Sequence, residues 1–335
     1  MKTYNLCLLG FGNVHRALVR LLAQKRPELR TRYGIEWRIT GIATRHMGWV
    51  ARLKGLNAEA LLDGGADATL TLSPPVENVQ SWLQAAEANV VFEATSLNPQ
   101  TGQPAIDYLR AALESGAHVV TANKGPVVHA YRELRELAES KGRRFRFESS
   151  VMDGAPIFSL FRETLPAANL IRFRGILNST TNFILGEIEN GRTFEEAVQR
   201  AQSIGIAETD PSADVDGWDA AVKVAALRTV LMDAPIKPQD VQREGMRYLS
   251  PSAVRAARAE GQPYKLVCRA DRTSASVRPE QLPLTDPLAG VSGTSSIVHF
   301  ETDTLPGLTI TEHNPGPETT AYGMLADFIN VVSQD

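Results

Sequence analysis

Short apolar runs alternate with helical patterns over the first 150 residues of the chain. Several of these segments end at a glycine, as at Gly10, Gly116 and Gly142. The predicted strands are residues 4–9, 37–44, 89–95, 118–121 and 145–148, and the predicted helices are one that starts near residue 14 and those at 108–115 and 131–141. Strands that alternate with helices are typical of βαβ units, so the pattern predicts an α/β domain with a parallel sheet.

From residue 151 onwards the pattern is less regular. Thr193 and Glu196 have the spacing of a capping box, which predicts that a helix starts there. The predicted helices are 158–164, 183–189, 193–203, 217–232 and 321–332, and the predicted strands are 171–177, 264–270 and 296–301. We therefore predict a second domain of the α+β class, with an open sheet of its own.

The composition excludes several classes of protein. A chain of 335 residues suggests two domains, and 43% hydrophobic residues can build sizeable cores. The 35 Lys and Arg against 38 Asp and Glu give a net charge of −3, which argues against nucleic acid or an anionic membrane as a partner. No apolar run approaches the roughly 18 residues that span a bilayer, and no secretory signal is evident. We therefore expect a soluble, cytoplasmic protein of two domains.

A glycine turn follows the first predicted strand. It consists of Gly10, Phe11, Gly12, Asn13 and Val14. Gly10 permits a tight turn, and Gly12 lets the main chain approach a pyrophosphate at the N-terminus of the next helix. His15 stands where a dinucleotide fingerprint has its third glycine, which allows close packing of helix and strand. An ordinary βα turn is the alternative, but the position after the first strand favours a dinucleotide site.

The end of the second predicted strand bears on the choice between NAD and NADP. NAD sites commonly place a carboxylate there to bind the ribose 2′-hydroxyl. Residues 42–46 contain no carboxylate, and Arg45 could instead pair with a 2′-phosphate. We expect NADP as the cofactor, with NAD as the alternative. A solvated surface arginine is the other interpretation of Arg45.

Lys124 follows directly on the strand predicted at 118–121. The carboxyl ends of parallel strands face the ligand crevice of such folds. Lys124 is therefore placed to meet a carboxylate or a phosphate. A surface lysine before a helix is the alternative.

A single lysine interrupts an otherwise apolar stretch of the helix predicted at 217–232. Lys223 is the one ionisable residue between positions 220 and 227, and Asp219 lies one turn earlier on the same face. Carboxylates crowd the preceding loop, namely Glu208, Asp210, Asp214 and Asp216. A lysine that is shielded from water beside carboxylates suits general acid–base catalysis. A lysine that buries its stem and extends its ammonium to solvent is the alternative.

Taken together, five segments resemble homoserine dehydrogenases, and the resemblance covers nearly the whole chain. The most specific segment runs from Glu208 through Asp214 and Asp219 to Lys223, because the acidic loop and the lysine helix follow in the family's order and spacing. The other segments are residues 10–14, 121–124, 148–156 and 175–184.

The resemblance implies reversible reduction of L-aspartate 4-semialdehyde to L-homoserine with NAD(P)H. Lys223 would protonate the carbonyl oxygen, and Asp219 would orient that lysine. Glu208 and Asp214 would hold the amino end of the substrate, and Lys124 would lie between cofactor and substrate. The positions that match cofactor contacts in the family are Thr95, Lys124 and Gly316.

The resemblance also implies a domain arrangement, an assembly and a metal. Residues 1–150, completed by 308–335, would form the NAD(P)-binding Rossmann domain, and 151–307 the substrate and dimerisation domain of a homodimer. A sodium ion would be bound largely by main-chain carbonyls at Glu148, Val151, Asp153 and Ala155. We also expect no C-terminal regulatory domain and no fused aspartate kinase.

Two departures from the family keep other functions open. His15 replaces a small residue in the glycine turn, and Glu318 adds a charge near the expected cofactor position Gly316. One alternative is a dehydrogenase of the same architecture that acts on another small carbonyl compound. A second is a catalytically silent protein that senses NADP. A phosphorylating semialdehyde dehydrogenase is disfavoured, because Cys7 and Cys268 both lie in apolar runs and neither has the setting of a reactive thiol.

Overall fold

The computed structural model describes residues 1–62 and 77–333, and the chain divides into two compact units. One unit consists of Met1–Pro156 and Gly316–Asp335, and the other of Ile157–Pro315. The sequence analysis placed the boundaries of the first domain at residues 150 and 308. The last two residues of the predicted segment 308–335 lie outside the residues that the structure describes. Within residues 1–62 and 77–333, no helix has the length and apolar character needed to cross a membrane.

The first unit is built on a mostly parallel sheet. Its strands in the described residues are β1 (Lys2–Leu9), β2 (Ile35–Thr44), β3 (Gly48–Ala51), β4 (Val90–Glu93), β5 (His118–Thr121) and β6 (Phe145–Arg146). Their order is β3-β2-β1-β4-β5-β6, and β3 pairs with β2 in the antiparallel direction. A switch point of the chain therefore lies between β1 and β4, where folds of this kind bind ligands at the carboxyl ends of the strands. The predicted Rossmann-type α/β fold is confirmed.

Helices connect these strands and cover the sheet. They are α1 (Asn13–Tyr33), α2 (Ala58–Leu62), α3 (Val79–Ala85), α4 (Ala105–Glu114) and α5 (Lys124–Ser140). The helix predicted from residue 131 begins at Lys124 instead, because the Asn123 side chain caps it by accepting a hydrogen bond from Gly125 N at 2.9 Å. A kink at Ala130 follows, where φ is −139°. This kink separates the first two turns from the periodic part that the sequence pattern identified.

The second unit has an open, mostly antiparallel sheet beside a group of helices. Its strands in the described residues are β7 (Leu170–Ile176), β8 (Gln242–Arg243), β9 (Tyr264–Asp271), β10 (Ala275–Gln281), β11 (Ser296–Thr302) and β12 (Leu308–Glu312), in the order β12-β11-β7-β9-β10-β8. Its α-helices are α6 (Ser179–Glu189), α7 (Phe194–Ser203), α8 (Ser212–Val215), α9 (Trp218–Leu231) and α10 (Pro251–Ala259). The capping box at Thr193 and Glu196 is present at the start of α7.

The last helix returns to the first unit. Helix α11 (Pro317–Val332) packs against α1, and Phe328 lies edge-on to Tyr4 and Phe92 with ring centroids 5.9 and 5.8 Å apart. The strand β12 immediately before it pairs with β11 of the second unit. The chain therefore changes units between Glu312 and Pro317.

Candidate active site

The glycine turn of the first unit has the geometry that a close approach of main-chain segments requires. Gly10 has a φ of +88°, and a Cβ atom on it would lie 2.7 Å from the carbonyl oxygen of Ala94. Gly12 is the N-cap of α1, and no heavy atom lies within 4 Å of its Cβ position. Asn13 is exposed, whereas Phe11 and Val14 are partly buried against the core. The turn thus opens onto the positive end of a 21-residue helix, which suits an anion.

His15 is accommodated by turning its ring inward. The imidazole is fully buried, and Nδ1 lies 2.7 Å from the Gly10 carbonyl oxygen. Because this oxygen is an acceptor, the Nδ1–H tautomer donates to it. Burial lowers the pKa of His15 to about 4, so the ring is neutral at physiological pH. The His15 side chain thus stabilises the glycine turn by a hydrogen bond, at the position where a dinucleotide fingerprint usually has a glycine.

The end of β2 carries no carboxylate. Thr44 ends the strand, and its Oγ1 accepts a hydrogen bond from Met47 N at 2.9 Å. Arg45 follows in this turn and is exposed. Its position leaves the expected pairing with a 2′-phosphate as a prediction.

A polar cluster closes the carboxyl ends of β4 and β5. Glu93 and Thr121, the last residues of these strands, are both fully buried and joined by a 2.5 Å hydrogen bond from Thr121 Oγ1 to Glu93 Oε2. Thr95 donates to Glu93 from both its main-chain N and its hydroxyl. Lys124 is partly buried one residue beyond Asn123. Two of the expected site residues, Thr95 and Lys124, therefore flank a buried carboxyl that the sequence analysis missed.

Gly316, the third expected cofactor position, begins α11. Its main-chain N donates to Thr319 Oγ1 at 2.8 Å, and Gly316 is the N-cap of the helix. Glu318 is exposed in the first turn, where a negative charge is favourable to the helix dipole. The extra charge thus has a local role that is independent of any cofactor.

The lysine helix of the second unit shields Lys223 from most of the solvent. The Lys223 side chain is 16% exposed, and its Nζ lies 3.4 Å from Asp219 Oδ2. Nζ also donates to the main-chain carbonyl of Leu177 at 2.6 Å. The ammonium is therefore held by a carboxylate and by a carbonyl, and it does not extend away from the protein on a buried stem.

Asn178 links the carboxylates near this lysine. Its Nδ2 donates to Asp214 Oδ1 at 2.6 Å and to Asp219 Oδ2 at 3.0 Å, while its Oδ1 accepts from Thr181 N and caps α6. Burial raises the pKa of Asp214, and the nearby Asp219 charge raises it further. The sequence analysis gave Asn178 no role, although an asparagine between a strand and a helix is a recognisable N-cap signal.

Glu208 stands apart from this network. It is exposed, and its main-chain carbonyl accepts a hydrogen bond from Gln202 Nε2 at 3.1 Å. None of the contacts recorded for the described residues joins its carboxylate to Asp214, Asp219 or Lys223. A substrate role for Glu208 stays a prediction.

The segment expected to bind sodium is fastened to α11. Glu148 N donates to Asp327 Oδ2 at 2.8 Å, and the Asp153 carboxylate accepts from Thr320 Oγ1 at 2.5 Å. Val151 and Ala155 are buried. Across residues 1–62 and 77–333, no group of three His, Cys, Asp or Glu side chains is spaced to hold a metal. The sodium site that the resemblance implies stays a prediction.

The two cysteines are unsuited to nucleophilic catalysis. Cys7 and Cys268 are both fully buried, and burial raises the pKa of each thiol to about 12. A thiol must ionise to attack a substrate, so neither is activated. Lys223 in the second unit and the glycine turn of the first unit stay the candidates for proton transfer and for dinucleotide binding.

Comparison with known proteins identifies the family. A family model of homoserine dehydrogenases matches residues 156–329, and the model of their NAD-binding domain matches residues 10–148. The chain belongs to the homoserine dehydrogenase family. Members of this family are NAD(P)-dependent oxidoreductases.

Two homoserine dehydrogenases are similar to this chain over nearly their whole length. An NAD(+)-dependent homoserine dehydrogenase of Pseudomonas canavaninivorans is 37% identical over 99% of this chain and 97% of that protein. A homoserine dehydrogenase of Methanocaldococcus jannaschii is 32% identical over 98% of both.

Solved structures agree. A putative homoserine dehydrogenase from Archaeoglobus fulgidus superposes with a TM-score of 0.86 at 28% identity, covering 99% of both chains. A hyperthermophilic archaeal homoserine dehydrogenase in complex with NADPH superposes with a TM-score of 0.85 at 28% identity, covering 100% of this chain and 99% of the other.

Proposed function

We propose that this protein catalyses the reversible, NAD(P)H-dependent reduction of L-aspartate 4-semialdehyde to L-homoserine, a step towards threonine, methionine and isoleucine. Family membership supports the reaction. The observation that carries the residue assignment is the position of Lys223, largely buried between the Asp219 carboxylate and the Leu177 carbonyl.

Lys223 acts as the general acid. The nicotinamide cofactor, when bound, supplies the hydride. Negative charge then develops on the aldehyde oxygen, and a positioned ammonium stabilises this charge and donates a proton from Nζ to the oxygen. Asp219 keeps the lysine charged and oriented before the transfer. In the reverse direction the neutral amine accepts the hydroxyl proton of homoserine.

Charged residues named by the resemblance would bind the substrate. Asp214 is held by Asn178 and offers a carboxylate to the substrate's ammonium group, and Glu208 would assist it from the exposed loop. Lys124, at the first position of α5, would meet the substrate's carboxylate and the cofactor. Opposite charges at fixed positions orient the aldehyde for the transfer.

The glycine turn would hold the dinucleotide at the N-terminus of α1, where no heavy atom lies within 4 Å of the Cβ position of Gly12. We infer a preference for NADP from Arg45. Both cofactors occur among the relatives, since one is called NAD(+)-dependent and the structure of another is a complex with NADPH. For Arg45→Ala we expect kcat/KM with NADPH to fall about tenfold while that with NADH stays within twofold. Equal losses with both cofactors would contradict the assignment.

The decisive experiment follows NADPH oxidation in the presence of aspartate semialdehyde. We expect Lys223→Ala to lower kcat by two or more orders of magnitude, a barrier increase of about 3 kcal/mol. Lys223→Arg should be similarly inactive, because a guanidinium does not release its proton. Lys237→Ala, an exposed lysine beyond the end of α9, is the matched control and should keep its rate. An unchanged rate in Lys223→Ala would remove the catalytic assignment.

The same assay separates the alternatives. Turnover of other aldehydes or keto acids in place of aspartate semialdehyde would indicate a related dehydrogenase. Binding of NADPH, measured by fluorescence, without turnover of any carbonyl compound would indicate a sensor of NADP.

Three further features are part of the proposal. We propose a homodimer, which sedimentation analysis would detect as twice the chain mass. We also propose, from the resemblance, a sodium ion bound by main-chain carbonyls of the segment 148–155, and a sodium titration of thermal stability would detect it. The cytoplasmic location stays a prediction.

A further inference from the structure

A carboxyl group is completely enclosed at the end of β4. Glu93 has no exposed surface, although it lies at the carboxyl ends of the parallel strands, where folds of this type bind their ligands. A polar group in such a place must be hydrogen-bonded, because an unsatisfied one is costly to bury. The partners of Glu93 therefore show what the group is for.

The carboxyl bridges the ends of two neighbouring strands. Oε1 accepts from Thr95 N at 2.8 Å and from Thr95 Oγ1 at 2.5 Å, and Oε2 accepts from Thr121 Oγ1 at 2.5 Å. Glu93 and Thr121 are partners in the register of β4 and β5. Oε1 thus binds Thr95, two residues beyond the end of β4, and Oε2 binds Thr121, the last residue of β5.

A third segment joins through Asn123. Its Nδ2 lies 3.4 Å from Glu93 Oε1, and its main-chain N donates to Thr121 Oγ1 at 2.9 Å. Its Oδ1 caps α5 by accepting from Gly125 N. The next residue after this cap is Lys124, so the same cluster determines where the first turn of α5 begins.

The partners recorded for the carboxyl are neutral hydroxyl, amide and main-chain groups. Burial raises the pKa of Glu93, and the hydrogen bonds from Thr121, Thr95 and Asn123 oppose this rise. The carboxyl has almost no contact with water through which to exchange a proton. Its position suits a group that fixes other residues in place, and not one that takes part in proton transfer.

We propose that Glu93 is a positioning residue. Through its bridge between β4 and β5 it holds Thr95 and Lys124 at the carboxyl ends of these strands, where the cofactor would bind. It would touch neither substrate nor cofactor itself. This inference rests on the proposed function, because Thr95 and Lys124 are its expected cofactor and substrate contacts. A purely structural tie between two strands is the competing explanation.

The first test is Glu93→Gln, which keeps the shape but turns one acceptor into a donor. An amide NH₂ facing Thr95 would oppose two donors, and one facing Thr121 would leave the Thr121 hydroxyl proton without its acceptor. We expect kcat to fall at least tenfold and the Kd for NADPH, measured by fluorescence without substrate, to rise at least threefold. The thermal midpoint should stay within a few degrees of wild type.

Glu36→Gln is the matched control. Glu36 lies near the start of β2, at the amino ends of the parallel strands of the same sheet, and is paired with Arg26 and Arg30. This variant makes the same chemical change, and we expect its kcat and Kd to equal those of the wild type. If Glu93→Gln lowers the thermal midpoint but leaves kcat and Kd unchanged, the role is structural and the proposal is overturned. Unchanged values of all three would overturn it as well.

A second pair of variants applies even if Glu93→Gln does not fold. Thr121→Val keeps the shape but removes the hydroxyl that bonds Oε2, and Thr121→Ser retains it. We expect the Kd for NADPH to rise in Thr121→Val and most of this loss to be recovered in Thr121→Ser. Equal Kd values in both variants would contradict the bridge.

The two proposals fail in different ways. Absence of turnover by the wild type with aspartate semialdehyde would overturn the proposed reaction. The Kd of the Glu93 and Thr121 variants is measured with NADPH alone, so it reports on the bridge whichever carbonyl compound is the substrate.

Discussion

The two units surround the ionisable groups near their expected sites in different ways. In the first unit, Glu93 and His15 have no exposed surface, and the partners recorded for them are neutral. In the second unit, the side chains of Lys223 and Asp219 are 16% and 20% exposed and form an ion pair. The first arrangement keeps each group away from solvent and fixed by hydrogen bonds, whereas the second keeps a charged donor accessible to a reacting molecule.

This difference corresponds to the division of labour in the proposed reaction. A dinucleotide site needs main-chain groups held in fixed positions, and enclosed side chains such as His15 can fasten them without changing charge. A general acid must release and regain a proton at every turnover, which requires some access to water or substrate. Complete enclosure would suppress the charged form of the lysine, and full exposure would lose the orientation that Asp219 provides.

The largest predicted effect is the pH dependence of the free energy of unfolding that the enclosed His15 causes. The folded-state pKa of His15 is about 4, against 6.5 for an ordinary histidine. Between these values the unfolded chain binds the extra proton, so the free energy of unfolding decreases as the pH falls from about 6.5 to about 4. The full loss is about 3 kcal/mol. Urea unfolding at pH 7 and at pH 4 measures it.

His15→Asn isolates this contribution. An asparagine Nδ2 can replace Nδ1 as the donor to the Gly10 carbonyl but does not titrate. The variant should therefore lose about 3 kcal/mol less than the wild type over the same pH interval. His46→Asn, at an exposed position, should behave as the wild type. If His15→Asn and the wild type lose equal stability, the ring is not enclosed in the way the contacts indicate.

The glycine turn shows which part of a site can be predicted from sequence. Its signal is local, because the φ of +88° at Gly10 demands a residue without a Cβ. The pairing of Asp219 with Lys223 is equally local, since residues four apart share a face of a helix. Both signals lie within a few residues of the chain.

The partners that the sequence did not reveal come from distant segments or from the main chain. Glu93 meets Thr121 and Asn123 only because β4 and β5 are neighbours in the sheet. The Leu177 carbonyl that binds Lys223 carries no signature of residue type at all. The strands β10 and β12 were missed for a related reason, because their stability depends on pairing with β9 and β11 more than on their own pattern.

The ion pair of the second unit gives the next largest effect. Asp219→Asn keeps the shape of the side chain but removes the charge that keeps Lys223 protonated and oriented. We expect kcat to fall about 30-fold, which corresponds to about 2 kcal/mol, with KM nearly unchanged. Asp240→Asn, an exposed carboxylate of the same unit, is the matched control and should keep its rate. A rise in KM with unchanged kcat would mean that Asp219 binds substrate and does not act through the lysine.

The smallest effect separates the two tasks of Asn178, which is the enclosed member of the second unit's network. Asn178 caps α6 and also donates to Asp214 and Asp219. Serine caps a helix about as well as asparagine, and alanine does not, so Asn178→Ala should be about 1 kcal/mol less stable than Asn178→Ser in urea unfolding. Both variants lose the donation to the carboxylates, so both should raise the KM for aspartate semialdehyde by the same factor. If Asn178→Ser restored KM as well as stability, positioning of the two carboxylates would depend on the cap alone, and the enclosed amide would have no separate role in the site.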